Sequence, residues 1–231
     1  MEHHSNIELY YAQPQNCGAE ELFIDGEECR HIVKVMRHFK HDELFVTNGQ
    51  GKIFQSEIGK ISDEKITAVI KKTYRYKNEF SNITFCIPKL KNPERFEFAL
   101  EKCTELGITK FIVFSSERTI SKSVKMDRWQ KIVLSAMKQS LRSYLPEIKI
   151  VDSFDELVRK DAERFVFEQN AENKFNGLQN NFSSEYYFIF GPEGGLSPAE
   201  LAIIPRNSLY KLSENRLRSE TAIVKCASRL G

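Results

Sequence analysis

The alternation of short apolar segments with helical segments after Asn82 constrains the fold of this chain more than any other feature. The strand-like segments are residues 83–87, 110–114, 148–151, 164–167, 186–190 and 208–212. Helical spacing of apolar residues occurs at 93–106, 127–142, 198–204 and 220–230, and a shorter helix begins at Ser153. Parallel strands need such crossover connections, and the connecting helices cover both faces of the sheet. The sequence therefore predicts an α/β domain with a largely parallel sheet.

The first part of the chain has a different pattern, which predicts a small barrel-like module. Its strand-like segments are residues 7–11, 43–47, 52–58 and 65–76. One helix is predicted at 27–37, with Ile32, Val33 and Met36 on one side. The pair Asn48-Gly49 predicts a hairpin turn, because such a pair supplies the positive φ angles that tight hairpins need. We therefore expect two domains, at residues 1–72 and 73–231.

The composition excludes several classes of protein. Hydrophobic residues make up 41% and charged residues 29% of the chain, as in ordinary globular proteins. No apolar run approaches the roughly 20 residues of a membrane span, and the N-terminus lacks a signal-peptide pattern. A cytoplasmic protein without a membrane partner is expected. The five cysteines are scattered and never form a C-x-x-C pair, so we expect neither a disulfide framework nor a metal site.

Positive charge is concentrated in residues 89–142, which hold 12 basic and 6 acidic residues. Such an excess favours a phosphate-rich partner, although a solvated, lysine-rich helix surface explains it equally well. Two stretches in this region combine cations with polar or aromatic neighbours, and the N-terminal module adds two arginines. The candidate RNA contacts are therefore Lys89, Lys91, Arg95, Lys138, Gln139, Arg142, Arg30 and Arg37.

The segment 186–201 has the strongest local pattern in the chain. An apolar strand is followed by a loop with three glycines, Gly191, Gly194 and Gly195. Ser197, with Glu200 three residues later, predicts a capping box at the start of the next helix. Glycines at the end of a strand allow a ligand to approach the backbone closely. The alternative is a tight turn with a helix cap and no ligand, and the G-x-G-x-x-G pattern of dinucleotide sites is absent.

A second polar loop lies at residues 211–222 and begins the last helix. Arg216 and Arg218 are two residues apart, so they share one side of an extended chain, and Glu220 follows. A guanidinium in such a loop can bind a carboxylate, a phosphate or a developing anion. Its alternative role is an ordinary ion pair with Glu214 or Glu220.

Taken together, these residues resemble the RsmE-type ribosomal RNA methyltransferases of the SPOUT superfamily, and the similarity covers essentially the whole chain. The matching stretches are Arg30-His31, Val35-Met36-Arg37, Thr104-Glu105-Leu106-Gly107, residues 139–142 with Pro146, residues 191–195, and Leu217-Arg218-Ser219-Glu220-Thr221-Ala222. The resemblance implies a PUA-like RNA-binding barrel followed by a C-terminal α/β domain with a trefoil knot. It also implies a homodimer that methylates N3 of one uridine in 16S ribosomal RNA of the small subunit.

The resemblance implies that S-adenosylmethionine is the cofactor and that three strand-end loops bind it. The matching residues are Phe167, Glu168, Gly191, Glu193, Gly194, Gly195, Leu212, Ser213 and Leu217. The second loop departs from the family pattern: Ser213 replaces a common glycine, Asn215 an arginine and Arg216 an aliphatic residue. These differences leave backbone contacts possible but put the role of the Arg216 side chain in doubt.

Methylation at N3 of uracil suggests roles for the charged residues. N3 carries a proton and is a poor nucleophile until that proton is lost, and a neighbouring cation favours the anion. Arg218 fits this role, with Glu220 or Glu193 as the proton acceptor. Two other functions remain open: a non-catalytic RNA-binding factor in ribosome assembly, and a SPOUT methyltransferase that acts on transfer RNA.

Overall fold

The computed structural model describes residues 6–62, 64–120, 123–159, 162–177 and 184–230. The chain forms two compact units. The first contains Met1–Asn78 and Met137–Leu145, and the second contains Glu79–Ala136 and Pro146–Gly231. The boundary expected after residue 72 stays a prediction; a strand runs past that point to Arg75.

The first unit is built on a five-stranded, mostly antiparallel sheet. Its elements are β1 (Leu9–Tyr11), β2 (Glu21–Asp25), α1 (Gly26–Arg30), β3 (Glu43–Thr47), β4 (Lys52–Ile61) and β5 (Lys65–Arg75), with a 3₁₀ turn at Pro14–Asn16. The strand order is β1-β3-β4-β5-β2, and only β1 and β3 run parallel. Apolar residues that alternate along these strands, among them Ile24, Leu44, Val46 and Ile66, form one buried cluster. The predicted strands are present, whereas β2 was not predicted.

The helix expected at residues 27–37 is shorter and less regular. After α1 the chain continues as a π-helix at His31–Val35 and then enters the left-handed region at Arg37, with φ 61°. Ile32 is fully buried and Val33 packs against the same core, but Met36 is 41% exposed. Met36, which the sequence places on one side of the helix with Ile32 and Val33, does not join this core, because the wider π turn changes the spacing of the side chains.

The turn between β3 and β4 forms as predicted, but by a different mechanism. Gly49 and Gly51 have positive φ angles, whereas Asn48 does not. The Asn48 carboxamide oxygen instead accepts hydrogen bonds from the amides of Gln50 and Lys52, at 2.9 and 3.2 Å. Asn48 thus stabilises the turn through its side chain.

The second unit contains a seven-stranded, fully parallel sheet, which confirms the predicted α/β class. Its strands are β6 (Ile83–Pro88), β7 (Lys110–Phe114), β8 (Glu147–Ile150), β9 (Glu163–Phe167), β10 (Asn173–Lys174), β11 (Tyr186–Phe190) and β12 (Leu209–Lys211). Its helices are α2 (Pro93–Glu105), the greater part of α3 (Met126–Gln139), α4 (Phe154–Val158), α5 (Pro198–Ala202) and α6 (Ser219–Ala227). The strand order is β10-β12-β9-β11-β6-β7-β8. The trefoil knot stays a prediction.

The centre of this sheet is buried because its strands are apolar on both faces. Every residue of β6 is buried, and Phe188, Ile189 and Phe190 of β11 are at most 1% exposed. Phe167 and Phe190 stack at 4.9 Å between ring centroids. These rings hold the carboxyl ends of β9 and β11 together.

Three predicted helices end earlier in the structure, and one of them is the helix expected at 220–230, which ends at Ala227. The helix expected at 127–142 ends at Gln139, since Leu141 has φ 56° and the Arg142 amide bonds back to the Met137 carbonyl at 2.9 Å. The helix expected at 198–204 ends at Ala202. Gly107 has φ 96° directly after α2 and its C-cap residue, so the predicted glycine stop is confirmed.

Candidate functional site

A cleft of about 610 Å³ lies at the carboxyl ends of β9, β11 and β12 in the second unit. Ligands of open α/β sheets bind at this end of the strands, because loops from neighbouring strands converge there. All nine residues that the sequence suggests as cofactor contacts line it: Phe167, Glu168, Gly191, Glu193, Gly194, Gly195, Leu212, Ser213 and Leu217. Three separate segments of the chain thus meet in one cavity.

The glycine loop is held rigidly by the start of α5. The Ser197 hydroxyl accepts a hydrogen bond from the Glu200 amide at 3.2 Å, and Glu200 Oε2 accepts one from the Ser197 amide at 2.8 Å. The predicted capping box is therefore confirmed. Glu200 Oε1 also accepts from the Glu117 amide at 2.9 Å, so one buried carboxylate ties two loops of the unit together.

Arg118 holds the same loop from another part of the sheet. Its Nη1 donates to the carbonyl oxygens of Gly194 at 2.8 Å and Leu196 at 3.3 Å. The sequence does not indicate this role. Arg118 follows β7 in an otherwise ordinary segment, and no local pattern points to its contact with a loop 76 residues away.

A close backbone approach explains the glycine at position 191. A Cβ atom there would lie 3.2 Å from the Leu196 amide nitrogen and 3.3 Å from the Gly195 Cα. Gly195 has φ 71°, a conformation that side chains other than glycine rarely adopt. Gly194 is less restricted, because its Cβ would only make ordinary contacts with the Arg118 side chain at 3.6 Å.

The second loop closes the other wall of the cleft. Gln169 Nε2 donates to the carbonyl oxygens of Ser213 and Glu214, at 3.1 and 3.2 Å, which fixes the backbone after β12. Lys211 Nζ lies 2.9 Å from Glu214 Oε2 and lowers the pKa of that carboxyl. The Ser219 hydroxyl donates to the Gly191 carbonyl at 3.1 Å, so the two loops are joined directly.

The three candidate catalytic residues occupy different positions. Arg218 is exposed, lines the cleft and is the N-cap residue of α6. Glu193 also lines the cleft, and its Oε1 accepts a hydrogen bond from the Lys91 amide at 2.9 Å. Glu220 lies in the first turn of α6 and is 8% exposed, and it is not among the residues that line the cleft.

Glu220 is paired with Arg95, which the sequence suggests only as an RNA contact. Arg95 Nε lies 3.5 Å from Glu220 Oε1, and Arg95 itself lines the cleft. Glu220 Oε2 is buried and has no hydrogen-bond partner within the described residues. Arg95 therefore belongs to the cleft, and Arg216, which also lines it, adds a third guanidinium beside Arg218.

The remaining RNA candidates are divided between the two units, and their role in RNA binding stays a prediction. Lys91 and Arg95 line an open groove with Lys125 and Arg128, next to the cleft. Lys89 lies at the end of β6, where its amide bonds to the Phe114 carbonyl at 3.1 Å. Gln139 and Arg142 are exposed at the end of α3, and Arg30 and Arg37 are exposed in the first unit.

Lys138 has a partner that the sequence does not suggest. Its Nζ lies 2.8 and 2.9 Å from the two carboxylate oxygens of Glu28, within the first unit. The ammonium is therefore already neutralised, which weakens its predicted role in RNA binding.

The described residues hold no candidate metal centre and no candidate membrane span. No group of three or more His, Cys, Asp and Glu side chains is placed to hold a metal ion in the part of the chain that the structure describes. Within that same part, no helix has the length and apolar character needed to cross a membrane.

Comparison with known proteins identifies similar sequences and structures. The chain is 29% identical over 222 residues to the ribosomal RNA small subunit methyltransferase E of Bacillus subtilis, covering 88% of this chain and 87% of that protein. It is 28% identical to the protein of the same name from Aquifex aeolicus, covering 90% and 93%. The crystal structure of this methyltransferase from Neisseria gonorrhoeae, bound to S-adenosyl methionine, superposes with a TM-score of 0.84 at 26% identity and covers 96% of both chains.

Two domain families match the chain directly. The family described as the RNA methyltransferase PUA domain matches residues 24–71, and the family described as the RNA methyltransferase domain matches residues 77–231. The second match covers the parallel sheet and every residue of the cleft. The chain therefore belongs to the RNA methyltransferase family, in its RsmE-type branch with an N-terminal PUA domain and a C-terminal SPOUT domain.

Proposed function

We propose that this protein transfers the methyl group of S-adenosylmethionine to N3 of a uridine in 16S ribosomal RNA, as a homodimer in the cytoplasm. One observation carries the proposal: the loops after β9, β11 and β12 converge on a single cleft that contains every residue matching the family's cofactor segments. The similar methyltransferase from Neisseria gonorrhoeae, which is solved with S-adenosyl methionine, supports the same assignment.

The residues of the cleft suit an adenosyl sulfonium. Its volume of about 610 Å³ falls in the usual range for small-molecule sites. Apolar side chains that can contact an adenine ring come from Phe190, Leu212, Leu217 and Ala222. Glu168 can accept hydrogen bonds from the ribose hydroxyls of the cofactor. Gly191 has no side chain, so the cofactor can approach the backbone there.

The bound cofactor would supply an electrophilic methyl group, and the protein must supply a deprotonated N3. We assign Arg218 to this step, since a guanidinium beside the base favours the uracil anion over the neutral base. Arg218 begins α6, where the backbone amides already favour negative charge. The charge of Arg218 and the amides of α6 therefore both stabilise the uracil anion.

The contacts of the two glutamates support a different role for each. A proton acceptor must come within hydrogen-bond reach of N3–H, and Glu193 lines the cleft whereas Glu220 does not. We assign Glu193 as the proton acceptor. Glu220 is a positioning residue that orients the Arg95 guanidinium at the edge of the cleft.

Two measurements test the function. Calorimetric titration with S-adenosylmethionine should show binding to the isolated protein, and a titration without heat at saturating cofactor would contradict the cofactor assignment. Labelled methyl transfer should then be measured with small ribosomal subunits, free 16S RNA and transfer RNA in parallel. Label on transfer RNA alone would identify the other enzyme class, and cofactor binding without transfer to any of them would favour a non-catalytic assembly factor.

Mapping the product identifies the modified atom. RNA from a deletion strain should lack one methylated uridine, and incubation with the purified protein should restore it. A restored methyl group at another atom of the base, or on the ribose, would rule out the N3 assignment.

A further inference from the structure

Residues 30–41 of the first unit form an exposed, apolar and strongly basic surface, which we call the arm surface. Seven large hydrophobic residues are exposed within the described residues, and three of them lie here: Val35 at 63%, Met36 at 41% and Phe39 at 70%. Exposed apolar side chains that cluster in this way mark interaction sites in folded proteins. We therefore expect the arm surface to bind a partner.

The charge of the arm surface indicates which partner it fits. Residues 30–41 contain Arg30, Lys34, Arg37 and Lys40, three histidines and no acidic residue. None of these four cations is ion-paired with any residue that the structure describes. Free cations can bind the phosphates of a nucleic acid, and an exposed aromatic ring can stack on a base. The arm surface therefore fits a nucleic acid.

Three nearby carboxylates already have partners among the described residues. Glu28 is paired with Lys138, and Asp42 accepts from His38 at 3.1 Å and from the Phe39 amide at 2.8 Å. Glu57 is held by His41 at 2.9 Å and Lys71 at 3.0 Å. Residues 30–41 themselves contribute four cations and no carboxylate, so the arm surface carries positive charge of its own.

The backbone of the arm surface is anchored to the rest of the unit, whereas its four cations and three large apolar side chains are exposed. Cys29 and Ile32 are buried in the core of the unit at 1% and 0% exposure. The His41 amide bonds to the Ile58 carbonyl at 2.8 Å, and the Asp42 side chain fixes the turn at Phe39. Arg37 and His41 keep positive φ angles, at 61° and 76°, which is unusual for residues other than glycine. Such preorganisation lowers the entropy lost on binding.

We infer that the arm surface binds single-stranded RNA, with an unpaired base stacked on Phe39 and the flanking phosphates held by Lys34, Arg37 and Lys40. The inference rests on the proposed function, since it assigns the substrate-binding mode of the same RNA methyltransferase. Bases in a duplex are already stacked on each other, so this surface selects unpaired RNA.

Binding of a short labelled oligouridine and of a blunt RNA duplex to the full chain tests this assignment. Phe39→Ala should weaken oligouridine binding by about 5- to 150-fold, the range that stacking of one base contributes, and leave duplex binding unchanged. Phe39→Trp should retain the affinity, whereas Phe39→Leu keeps an apolar side chain without a ring and should not. Phe98→Ala is the matched control, because Phe98 is also exposed but lies in α2 of the other unit.

The charges are tested separately by salt dependence. Replacing Lys34 and Lys40 with glutamine should reduce the slope of log affinity against log salt by about 0.7 for each phosphate that is no longer neutralised. The inference is overturned if Phe39→Ala binds oligouridine like wild type, or if Phe39→Leu binds as well as Phe39→Trp. It is also overturned if Phe39→Ala changes the oligomeric state but not RNA affinity, because the surface would then bind a second copy. Wild-type protein that binds neither RNA would also overturn the inference, whereas S-adenosylmethionine binding without methyl transfer to small subunits or 16S RNA would contradict the proposed function itself.

Discussion

Arg218 lies where the last helix begins and where its guanidinium lines the cleft. If it stabilises the uracil anion, Arg218→Ala should reduce the single-turnover rate by on the order of 10²–10³, as for loss of one oxyanion-stabilising donor. Arg218→Lys keeps the charge but loses the planar guanidinium. Its rate should therefore lie between the rates of wild type and Arg218→Ala. Affinity for S-adenosylmethionine should change little in both variants. A purely structural role would instead lower the melting temperature and the cofactor affinity together.

Gly191 and Gly194 provide a matched pair within one loop. Alanine at 191 would crowd the Leu196 amide and the Gly195 Cα, and such overpacking costs about 1–3 kcal/mol. We expect Gly191→Ala to weaken S-adenosylmethionine binding on the order of tenfold, measured by calorimetry, because the loop must shift. Gly194→Ala should bind like wild type, since its Cβ has ordinary contacts with Arg118. An equal loss of cofactor affinity in both variants would show that crowding within the loop does not cause the loss.

Contacts between elements also set the stability of the second unit. Arg128 of α3 donates from Nε and Nη2 to the two carboxylate oxygens of Glu97 in α2, at 2.5 and 2.7 Å. This pairing lowers the pKa of Glu97. The folded state therefore favours the ionised form of Glu97. The stabilisation that results is fully present above the ordinary pKa of glutamate. It is lost as the pH falls through the lowered value.

Glu97→Gln should show this pH dependence in thermal unfolding. At neutral pH the variant should be less stable by about 1 kcal/mol, the scale of a partly exposed ion pair. The difference from wild type should shrink as the pH falls through the lowered pKa of Glu97. Glu101→Gln is the control, because Glu101 pairs with the adjacent Lys102 at the surface and should contribute little. A difference that stays constant from neutral to acid pH would exclude the ion pair as its cause.

At the scale of the whole molecule, we expect two copies to associate. Closed two-fold pairs are the commonest soluble assemblies, and the family resemblance points the same way. Light scattering at micromolar concentration should return twice the chain mass of 26.8 kDa. A mass equal to one chain would contradict the homodimer, and methylation by that monomer would show that one copy suffices.

Local patterns in the sequence were sufficient to predict most of the helices and strands. Helical and strand periodicity depend on neighbours a few residues apart, so the parallel α/β unit was predictable from 83–230. The capping box at Ser197 and the glycine at 191 are likewise local, because a turn or a cap is formed by residues adjacent in the chain. The cofactor segments were found through the resemblance to a family, and their convergence followed from the parallel order of the strands.

Tertiary structure alone decided which distant side chains meet. Arg118 reaches Gly194 across 76 residues, and Lys138 reaches Glu28 across 110. Arg95 lines the cleft as well as the neighbouring groove because α2 packs against α6, which brings it to Glu220. The π-helix at His31–Val35 changes the spacing of side chains, so that Ile32 is buried whereas Met36 is exposed. Each of these outcomes depends on packing between elements far apart in the chain, and periodicity carries no information about it.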